Sequence, residues 1–494
     1  MHTRYLLGSL LTGAALAVNT VEIKNQDFVD SKTGKRHYII GVDYQPGGQS
    51  GYDESTGKDP LTDDKACLRD ASIMQNLGIN TIRIYNIDPN GDHDKCASIF
   101  NAAGIYMLLD VNSPFSGGSI NRAEPWTSYN DDYLTRIFKM VEAFKDYPNT
   151  LGFFAGNELI NDVKSSKINP PYMRAVQRDL KTYIKNHADR QIPVGYSAAQ
   201  VQDVLEDTWQ YLQCAVDGKK DEDMSRADFF GLNSYSWCGG DATFQSSGYS
   251  DLVDMFKESS IPVFFSEYGC NEVKPRVFNE VQALYGDKMT SLSGGLVYEY
   301  SWEESEYGLV TINDNNTISL RTDFENLQKQ FNKLDLSLIQ SANATGTSIT
   351  PPECATKLIS DKNFNSGIDE FKGSWDLPST PSKAAKLLKE GVQNANKGKI
   401  VKVSDTEMPY AVYSSGGSEI KGLKLSVLED GTTNSPGGNS LNSGDSTTKT
   451  GNTGKTTTSD GSASSTTKQG AAGKIGVQST GALIFAAILA IYLC

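Results

Sequence analysis

Apolar runs of strand length recur along this chain, and two of them end in or near a carboxylic acid. Residues 151–158 have the sequence LGFFAGNE, and residues 261–269 have the sequence IPVFFSEYG. Runs that stay apolar without alternating are typical of strands buried on both faces, as in a parallel sheet. Glu158 and Glu267 therefore lie at the carboxyl ends of two predicted strands.

Between these runs, the hydrophobic positions switch repeatedly from strand spacing to helical spacing. The predicted strands are residues 38–45, 81–85, 106–111, 151–158, 193–197, 228–233, 261–269 and 295–300. The predicted helices that follow them in turn are residues 64–77, 92–103, 131–145, 171–186, 201–212, 251–258, 277–284 and 324–334. Eight successive strand–helix pairs predict an α/β fold, the (β/α)8 TIM barrel. On this count Glu158 ends the fourth strand and Glu267 the seventh.

The two glutamates lie where a barrel of this kind performs chemistry. Active sites of (β/α)8 barrels are built at the carboxyl ends of the strands. Glycoside hydrolysis needs two carboxyl groups, one protonated to give a proton and one ionised to attack. A single Glu after an apolar strand is more often a helix cap or a loop partner. Two that follow Phe-Phe strands of one barrel favour catalysis.

The net charge of the chain argues against a nucleic-acid partner. At 494 residues it carries a net charge of -14 and has a pI near 4.9, which suits a protein that handles a neutral substrate. The sequence contains neither a phosphate-binding loop nor a Cys-x-x-Cys motif, and only four histidines. We therefore expect no cofactor and no metal.

The sequences of both termini are typical of processing signals and do not predict parts of the fold. Residues 1–17 combine a weakly positive start, an apolar stretch and a small-residue cleavage site, as in a secretory signal peptide. Residues 431–470 are rich in Ser, Thr, Gly and Asn and predict a disordered linker. Residues 471–494 end in an apolar tail too short to span a bilayer, which favours a GPI-attachment signal with Gly470 as the attachment residue. A short tail anchor is the alternative.

The segment between barrel and linker is less regular. We expect residues 18–350 to form the barrel and residues 351–430 a small appendage, with a helix over 387–392 and short strands over 399–403 and 423–427. Two Asn-x-Thr sequons predict N-glycosylation at Asn315 and Asn343.

Secretion permits disulfides, and the barrel constrains how the cysteines pair. Six cysteines remain once the tail that contains Cys494 is removed, and six allow 15 pairings. The cysteines on the first two helices are neighbours on the outer ring, and those after the sixth and seventh strands are neighbours at the top. Elimination pairs the remaining two. We therefore expect the bridges Cys67–Cys96, Cys238–Cys270 and Cys214–Cys354.

Several motifs together resemble one enzyme family. They are GVDYQPGG at residues 41–48, TIRIY at 81–85, GNE at 156–158, DFFGLN at 228–233 and FSEYGC at 265–270. The chain resembles the fungal GPI-anchored β-1,3-glucanosyltransferases of glycoside hydrolase family 72 over about residues 20–355. Because it has no further cysteines, it is similar to the shorter members that lack the Cys-rich glucan-binding module.

The resemblance implies a reaction and a site. Glu158 would be the general acid/base and Glu267 the nucleophile of a retaining mechanism that cleaves β-1,3-glucan and transfers the new end to another chain. It also implies a set of donor contacts. These are Gln45, Tyr85, Asp110, Asn112, Asn157, Tyr235 and Tyr298.

Two alternatives remain open at this level. A plain endo-β-1,3-glucanase would let water resolve the intermediate, and a non-catalytic wall protein would keep only a glucan-binding barrel. One departure bears on both: the family commonly has an Asp and, five residues on, an Arg that face the acceptor, where this chain has Gln200 and Leu205. We expect acceptor binding to be weaker than is usual in the family.

Overall fold

The computed structural model describes residues 18–219, 222–341, 349–355, 357–360 and 371–437. All of them belong to the compact unit of residues 1–440. The predicted signal peptide, Asn343, Gly470 and residues 471–494 lie outside the described residues, as does the predicted linker beyond residue 437. No helix among the described residues is long and apolar enough to cross a membrane.

The strands comprise an antiparallel hairpin, a closed barrel and a small three-stranded sheet. The hairpin is β1 (Val21–Lys24) and β2 (Asp27–Asp30), and the barrel is β3 (Ile39–Asp43), β4 (Thr81–Ile84), β5 (Tyr106–Asp110), β6 (Thr150–Asn157), β7 (Val194–Ala199), β8 (Phe229–Ser234), β9 (Val263–Tyr268) and β10 (Gly294–Val297). The small sheet is β11 (Val310–Ile312), β12 (Ile318–Leu320) and β13 (Val412–Tyr413).

The barrel strands pair in parallel, each with its neighbour in sequence, and β10 closes the ring against β3. Almost every residue of these strands is buried, because helices cover the outer face. The predicted (β/α)8 barrel is confirmed. Glu158 directly follows the fourth barrel strand and Glu267 lies in the seventh, as predicted.

Helices surround the barrel. They are α1 (Asp64–Leu77), α2 (Asp94–Ala102), α3 (Pro125–Ser128), α4 (Asp131–Phe144), α5 (Val163–Ser166), α6 (Pro170–His187), α7 (Gln202–Gln213), α8 (Tyr249–Phe256), α9 (Glu280–Leu284), α10 (Thr322–Phe331), α11 (Leu336–Ser341), α12 (Lys357–Ser360) and α13 (Ser382–Glu390). The ends of α1 show why the pattern was readable: the Asp63 carboxylate accepts N–H bonds from the first turn, and Gly78, with φ 93°, ends the helix.

The amino end of the barrel is closed by the β1–β2 hairpin, which the sequence analysis did not predict. Phe28 packs against Phe229 and Phe264 beneath the strands, with ring centroids 5.8 Å away in both cases. Phe154 and Leu108 join the same apolar cluster. Within the part of the chain that the structure describes, the hairpin closes the amino end of the interior, and the opening lies at the carboxyl ends of the strands.

The appendage lies along the outside of the barrel, and its two predicted strands are wrong. Residues 399–403 and 423–427 form no strand: Lys424 makes only an isolated bridge with Glu407, and other backbone N–H groups of these segments bond barrel side chains. Val401 donates to Ser98 Oγ at 2.9 Å, and Ser426 donates to Gln75 Oε1 at 2.8 Å.

The packed chain also extends past the expected start of the linker. Asn434 is buried, and its side-chain amide donates to the carbonyls of Gln75 and Ile79. Residues 431–437 therefore lie against the barrel, although their composition is that of a linker.

Three disulfides join the pairs that were expected: Cys67–Cys96, Cys214–Cys354 and Cys238–Cys270. The second holds residue 354 beside the end of α7, where the Ala215 N–H donates to the Pro352 carbonyl and the Cys354 N–H donates to the Ala215 carbonyl. The sequon residue Asn315 lies exposed in the turn between β11 and β12.

Candidate active site

Glu158 stands at the point where β6 ends and the chain turns away. Its φ of 50° is in the left-handed region, which a non-glycine residue adopts only at an energetic cost. Its backbone N–H donates to the Ser197 carbonyl at 2.8 Å, and its Oε1 accepts from Asn233 Nδ2 at 2.8 Å. Neighbouring barrel strands therefore hold both the backbone and the carboxyl group of this residue.

Both carboxyl oxygens of Glu267 accept hydrogen bonds from fixed donors. Oε1 accepts from Arg83 Nη1 at 3.1 Å and from the Tyr85 hydroxyl at 2.9 Å. Oε2 accepts from the Tyr235 hydroxyl at 2.7 Å. Each donor stabilises the ionised form and restricts the carboxylate to one orientation.

Arg83 connects the groups around Glu267. Its side chain is fully buried, and it makes two bonds to the Asp110 carboxylate, the shorter from Nε at 2.9 Å. Its Nη2 also donates to Asn157 Oδ1 at 3.1 Å. The guanidinium lies over the Tyr85 ring, 4.3 Å from the centroid. One cation thus positions residues of three other barrel strands, β5, β6 and β9, as well as Tyr85 at the end of its own strand.

Asn157 has a defined amide orientation. Its Oδ1 accepts from Arg83 and also from Asn233 Nδ2, at 3.2 Å. These two donors assign the other end of the amide, Nδ2, to the remaining side of the residue.

The carboxyl group of Glu267 is deeply buried, and burial is the largest influence on its pKa. Burial raises the pKa of Glu267 to about 7; the Arg83 guanidinium lowers it, repulsion from Glu158 raises it, and the Tyr235 and Tyr85 hydroxyls lower it. The physical reason is depth, since Glu267 is 3% exposed and little solvent reaches its carboxyl group.

Two further acids lie buried beside this pair. Burial raises the pKa of Asp43 well above its usual range, and within the described residues neither of its carboxyl oxygens has a hydrogen-bond partner. Burial also raises the pKa of Glu299 to about 8, with repulsion from Glu303 adding to it. At neutral pH the raised pKa of Glu299 favours its neutral form, which limits the negative charge around Glu267.

Four tyrosines form one wall of the site. Tyr298 makes edge-to-face contacts with Tyr85, Tyr235 and Tyr307, with ring centroids 6.4, 6.2 and 5.2 Å away. These rings offer flat apolar faces beside the carboxyl groups, as sugar-binding sites do.

Gln45 and Asn112 differ in how far the protein itself already hydrogen-bonds their side-chain amides. Gln45 accepts the Asn86 N–H through Oε1, and its buried Nε2 has no partner among the described residues. Asn112 donates to the Ala155 carbonyl and accepts from the Tyr133 hydroxyl, so both ends of its amide already bond protein. Gln45 has a polar group available for a ligand, and Asn112 braces β6.

The expected acceptor position at Leu205 is wrong. Leu205 lies on α7 and is 2% exposed, so it packs in the core and cannot face an incoming sugar. Gln200, half-buried directly after β7, is the one of the two positions that stays near the rim.

Arg83, Asp43 and Asn233 lie within motifs found in the sequence but were not predicted as site residues, and Tyr307 was missed. A signal was present for three of them. Arg83 interrupts the apolar strand TIRI, Asp43 ends the apolar strand IIGVD, and Asn233 follows the apolar run FFGL. A polar residue on a strand buried on both faces needs a partner inside the barrel.

One cluster among the described residues has the composition of a metal site. Cys238, Cys270 and Glu272 have ligand atoms within 4.8 Å of one another. The two cysteines are bonded in a disulfide, so they offer no thiolate to a metal.

The fold and the paired carboxyl groups define a barrel with the layout of a glycoside hydrolase. Residues 11–335 match the family described as Glyco_hydro_72, glucanosyltransferase. The chain belongs to this family.

Relatives with known names support this family assignment. The chain is 55% identical over 434 residues to the 1,3-beta-glucanosyltransferase gel2 of Aspergillus fumigatus, covering 88% of each protein. It is 46% identical to the probable 1,3-beta-glucanosyltransferase GAS3 of Saccharomyces cerevisiae, covering 80% of this chain and 77% of the relative. A solved structure of Saccharomyces cerevisiae Gas2p, a mutant in complex with laminaritetraose and laminaripentaose, is similar with a TM-score of 0.64 at 38% identity, over 74% of this chain and 76% of that one.

Proposed function

We propose that this protein is a retaining β-1,3-glucanosyltransferase that elongates and remodels the β-1,3-glucan of the fungal cell wall. The observation that carries the proposal is the environment of Glu267. Arg83, Tyr85 and Tyr235 hold both of its oxygens, while Glu158 stands on a neighbouring part of the rim. A carboxylate held this way is suited to attack an anomeric carbon.

The first half of the reaction breaks the donor glucan. Glu267 attacks the anomeric carbon and forms a glycosyl ester, while the glycosidic bond breaks. Glu158 gives its proton to the departing oxygen, so the leaving chain departs with a new 3-hydroxyl at its non-reducing end. Negative charge moves from Glu267 to Glu158, and the Asn233 donor on Glu158 stabilises it there.

The second half transfers the bound chain. Glu158, now ionised, takes the proton of an acceptor 3-hydroxyl, and the acceptor oxygen attacks the anomeric carbon. The ester bond to Glu267 breaks, and the β-linkage forms again after two inversions. Asn157 Nδ2 is oriented to donate to the sugar 2-hydroxyl, a contact that strengthens in the transition state.

The donor contacts follow the same strands. Gln45, Tyr85 and Asp110 come from the first three barrel strands or directly after them, and Tyr235 and Tyr298 from the sixth and eighth. We assign Asn112 an indirect part, because it braces the strand that ends at Glu158. No cofactor takes part in these steps.

A plain endo-β-1,3-glucanase is the second candidate. Transfer wins only if the acceptor site holds the 3-hydroxyl at an effective molarity well above that of water, and oriented pairs can reach about 10⁵ M. The neutral Gln200 supports a weaker acceptor site, and therefore a larger hydrolytic share than is usual in the family. A pure binding protein is disfavoured by the cost of burying Arg83, Asp110 and Glu267 together.

Product analysis separates the three functions. The secreted domain is incubated with a laminari-oligosaccharide of one defined length, and the products are resolved by chromatography. Products longer than the substrate establish transfer, and shortened products alone at every substrate concentration establish a glucanase. If the wild type forms neither longer nor shortened products, and Glu158→Gln and Glu267→Gln behave in the same way, the protein is a binding protein.

The location of the protein is part of the proposal. The signal peptide, the Ser/Thr/Gly-rich linker and the apolar tail of the sequence support secretion and attachment to the outer face of the plasma membrane through GPI, near Gly470. Exposure of Asn315 supports glycosylation there. Mass spectrometry of the mature protein tests the anchor: retention of the peptide 481–494 would rule out GPI processing.

A further inference from the structure

An aromatic ring stands in solvent at the rim of the barrel, in the loop that follows β5. Phe115 is 45% exposed. One face of its ring stacks on Tyr52, with the centroids 5.4 Å apart and the planes at 28°. A ring covered on one face and exposed elsewhere is a surface on which a second flat group can stack.

Tyr52 is itself held in place, so the ring that supports Phe115 does not move freely. Tyr52 is 3% exposed, and its hydroxyl donates to the Ile87 carbonyl at 3.2 Å and also contacts the Glu54 carboxylate. Arg136 donates to the Tyr52 hydroxyl at 3.0 Å and pairs with Glu54 at 2.6 Å. The support is thus bonded to the loop after β4 and to α4.

The Phe115 backbone is held as firmly by a closed turn. Ser113 donates to the Gly118 carbonyl at 2.9 Å, and Gly118 donates back to the Phe115 carbonyl at 2.9 Å. Gly117 has a φ of 82°, which favours glycine, and a Cβ on Gly118 would lie 2.8 Å from the Ser113 Cβ. The loop therefore presents the ring in a set orientation, at little entropic cost on binding.

A groove of about 450 Å³ lies beside the ring. Asn90, Asp132 and Lys139 line it together with Phe115, and Lys139 Nζ donates to Asn90 Oδ1 at 3.4 Å. An aromatic face combined with amide and charged groups can stack on a sugar ring and bond its hydroxyls. Single exposed apolar residues are common, but Phe115 is also backed by the Tyr52 ring and bordered by this groove.

The groove shares its part of the barrel rim with three of the residues that are assigned to the donor sugar. Its lining comes from the loops that follow β3, β4 and β5 and from the start of α4. The same three strands lead into Gln45, Tyr85 and Asp110, which the proposed function assigns to the donor sugar. A donor chain that left the site on the side of these three residues would pass towards Phe115.

We propose that Phe115, stacked on Tyr52, is a distal donor subsite that binds a glucosyl unit of the β-1,3-glucan remote from the bond that is cleaved. This inference rests on the proposed function. It makes Phe115 a determinant of donor length: the ring contributes binding only to chains long enough to reach it, and leaves the chemistry at Glu267 untouched.

The test is the dependence of kcat/KM on donor length, measured for the wild-type protein and for Phe115→Ala with a ladder of laminari-oligosaccharides. The loss in Phe115→Ala should grow with donor length and reach roughly three- to tenfold for donors that span the groove, the size expected for one stacked ring. The loss should appear as a higher KM rather than as a lower kcat. Phe115→Trp should keep the wild-type dependence on donor length, because Trp also offers a flat ring. Phe115→Leu, which is apolar but not flat, should lose it as Phe115→Ala does.

Val273→Ala is the matched control. Val273 is 50% exposed, but it lies in the loop after β9, so its removal should affect no donor. A uniform loss at all donor lengths, or no loss at any length, would overturn the proposal. Circular dichroism and thermal melting confirm that each variant folds.

Calorimetry with Glu158→Gln, alone and combined with Phe115→Ala, separates this proposal from the proposed function. If the wild type cleaves no glucan, the proposed function fails, but the groove can still be judged by binding. Long glucans that bind Glu158→Gln more tightly than the double variant support the subsite. Equal affinities, or no binding to either, overturn it.

Discussion

Arg83 Nη1 lies 3.1 Å from Glu267 Oε1, and neither side chain is more than 4% exposed. The same guanidinium pairs with Asp110. Two buried carboxyl groups therefore depend on one cation for charge compensation. Removing one partner of such a buried arrangement usually costs far more than the net contribution of the pair.

Replacing Arg83 by Met should therefore damage both stability and activity. We expect the free energy of unfolding to fall by about 3–5 kcal/mol, measured by urea denaturation, and glucan cleavage to be lost. Arg69→Met is the matched control, because Arg69 pairs with Asp70 at 2.7 Å and both are equally buried. It should reduce stability similarly while the folded fraction stays active. Full activity of folded Arg83→Met would contradict the role of Arg83.

The pH profile should report the hydrogen bonds to Glu267. The Tyr235 hydroxyl lowers the pKa of Glu267 by bonding its ionised form. Tyr235→Phe should raise that pKa, so the activity that requires the carboxylate should be lost at a higher pH as the solution is acidified. The acid limb of the pH profile of kcat/KM should therefore move to higher pH.

Tyr85→Phe should move the limb in the same direction. Tyr106→Phe removes a hydroxyl that bonds the Asn19 carbonyl at the opposite end of the barrel, and it should leave the limb in place. A limb that is unchanged in Tyr235→Phe, or that moves downward, would contradict this electrostatic interpretation.

The disulfides should differ in what they contribute to stability. Cys214–Cys354 closes a separation of 140 residues and Cys67–Cys96 one of 29. In the chain-entropy description the longer loop stabilises by about 1.4 kcal/mol more. Chemical unfolding of the two Cys-to-Ser double variants measures the difference, and equal losses would show that strain or residual structure outweighs loop entropy.

Transfer should respond to charge at position 200. Gln200 lies at the rim after β7, whereas Leu205 is buried, so only the first can be changed without disturbing the core. Gln200→Asp should raise the ratio of transfer to hydrolysis, measured from product lengths at equal conversion. Gln200→Asn is the neutral control, and an equal ratio in both variants would remove Gln200 from the acceptor site.

The barrel could be predicted because its signals are local. Asp63 and Gly78 mark the ends of α1, and the Phe-Phe strands before Glu158 and Glu267 are apolar throughout. The appendage could not be predicted in the same way. Val401 and Ser426 bond barrel side chains, and nothing in their own sequence distinguishes such an extended segment from a strand.

The sequence predicted which residues form the site, but not which of them contact each other. Glu267 was identified from its strand, yet its dependence on Arg83 is a contact between residues 184 positions apart. The depth that raises the pKa of Glu267 is likewise a property of the closed barrel. Burial of Leu205 shows the same limit, since a family position was expected at the surface and lies in the core.

The most direct test of the retaining mechanism is to trap its covalent intermediate. A 2-fluoro laminari-oligosaccharyl fluoride slows both halves of the reaction, and peptide mass spectrometry after digestion locates the sugar. We predict a glycosyl ester on Glu267, and its accumulation should depend on Glu267 but not on Glu158, since fluoride leaves without a proton. A label on any other residue, or an unlabelled enzyme whose products have inverted anomeric configuration, would contradict the mechanism.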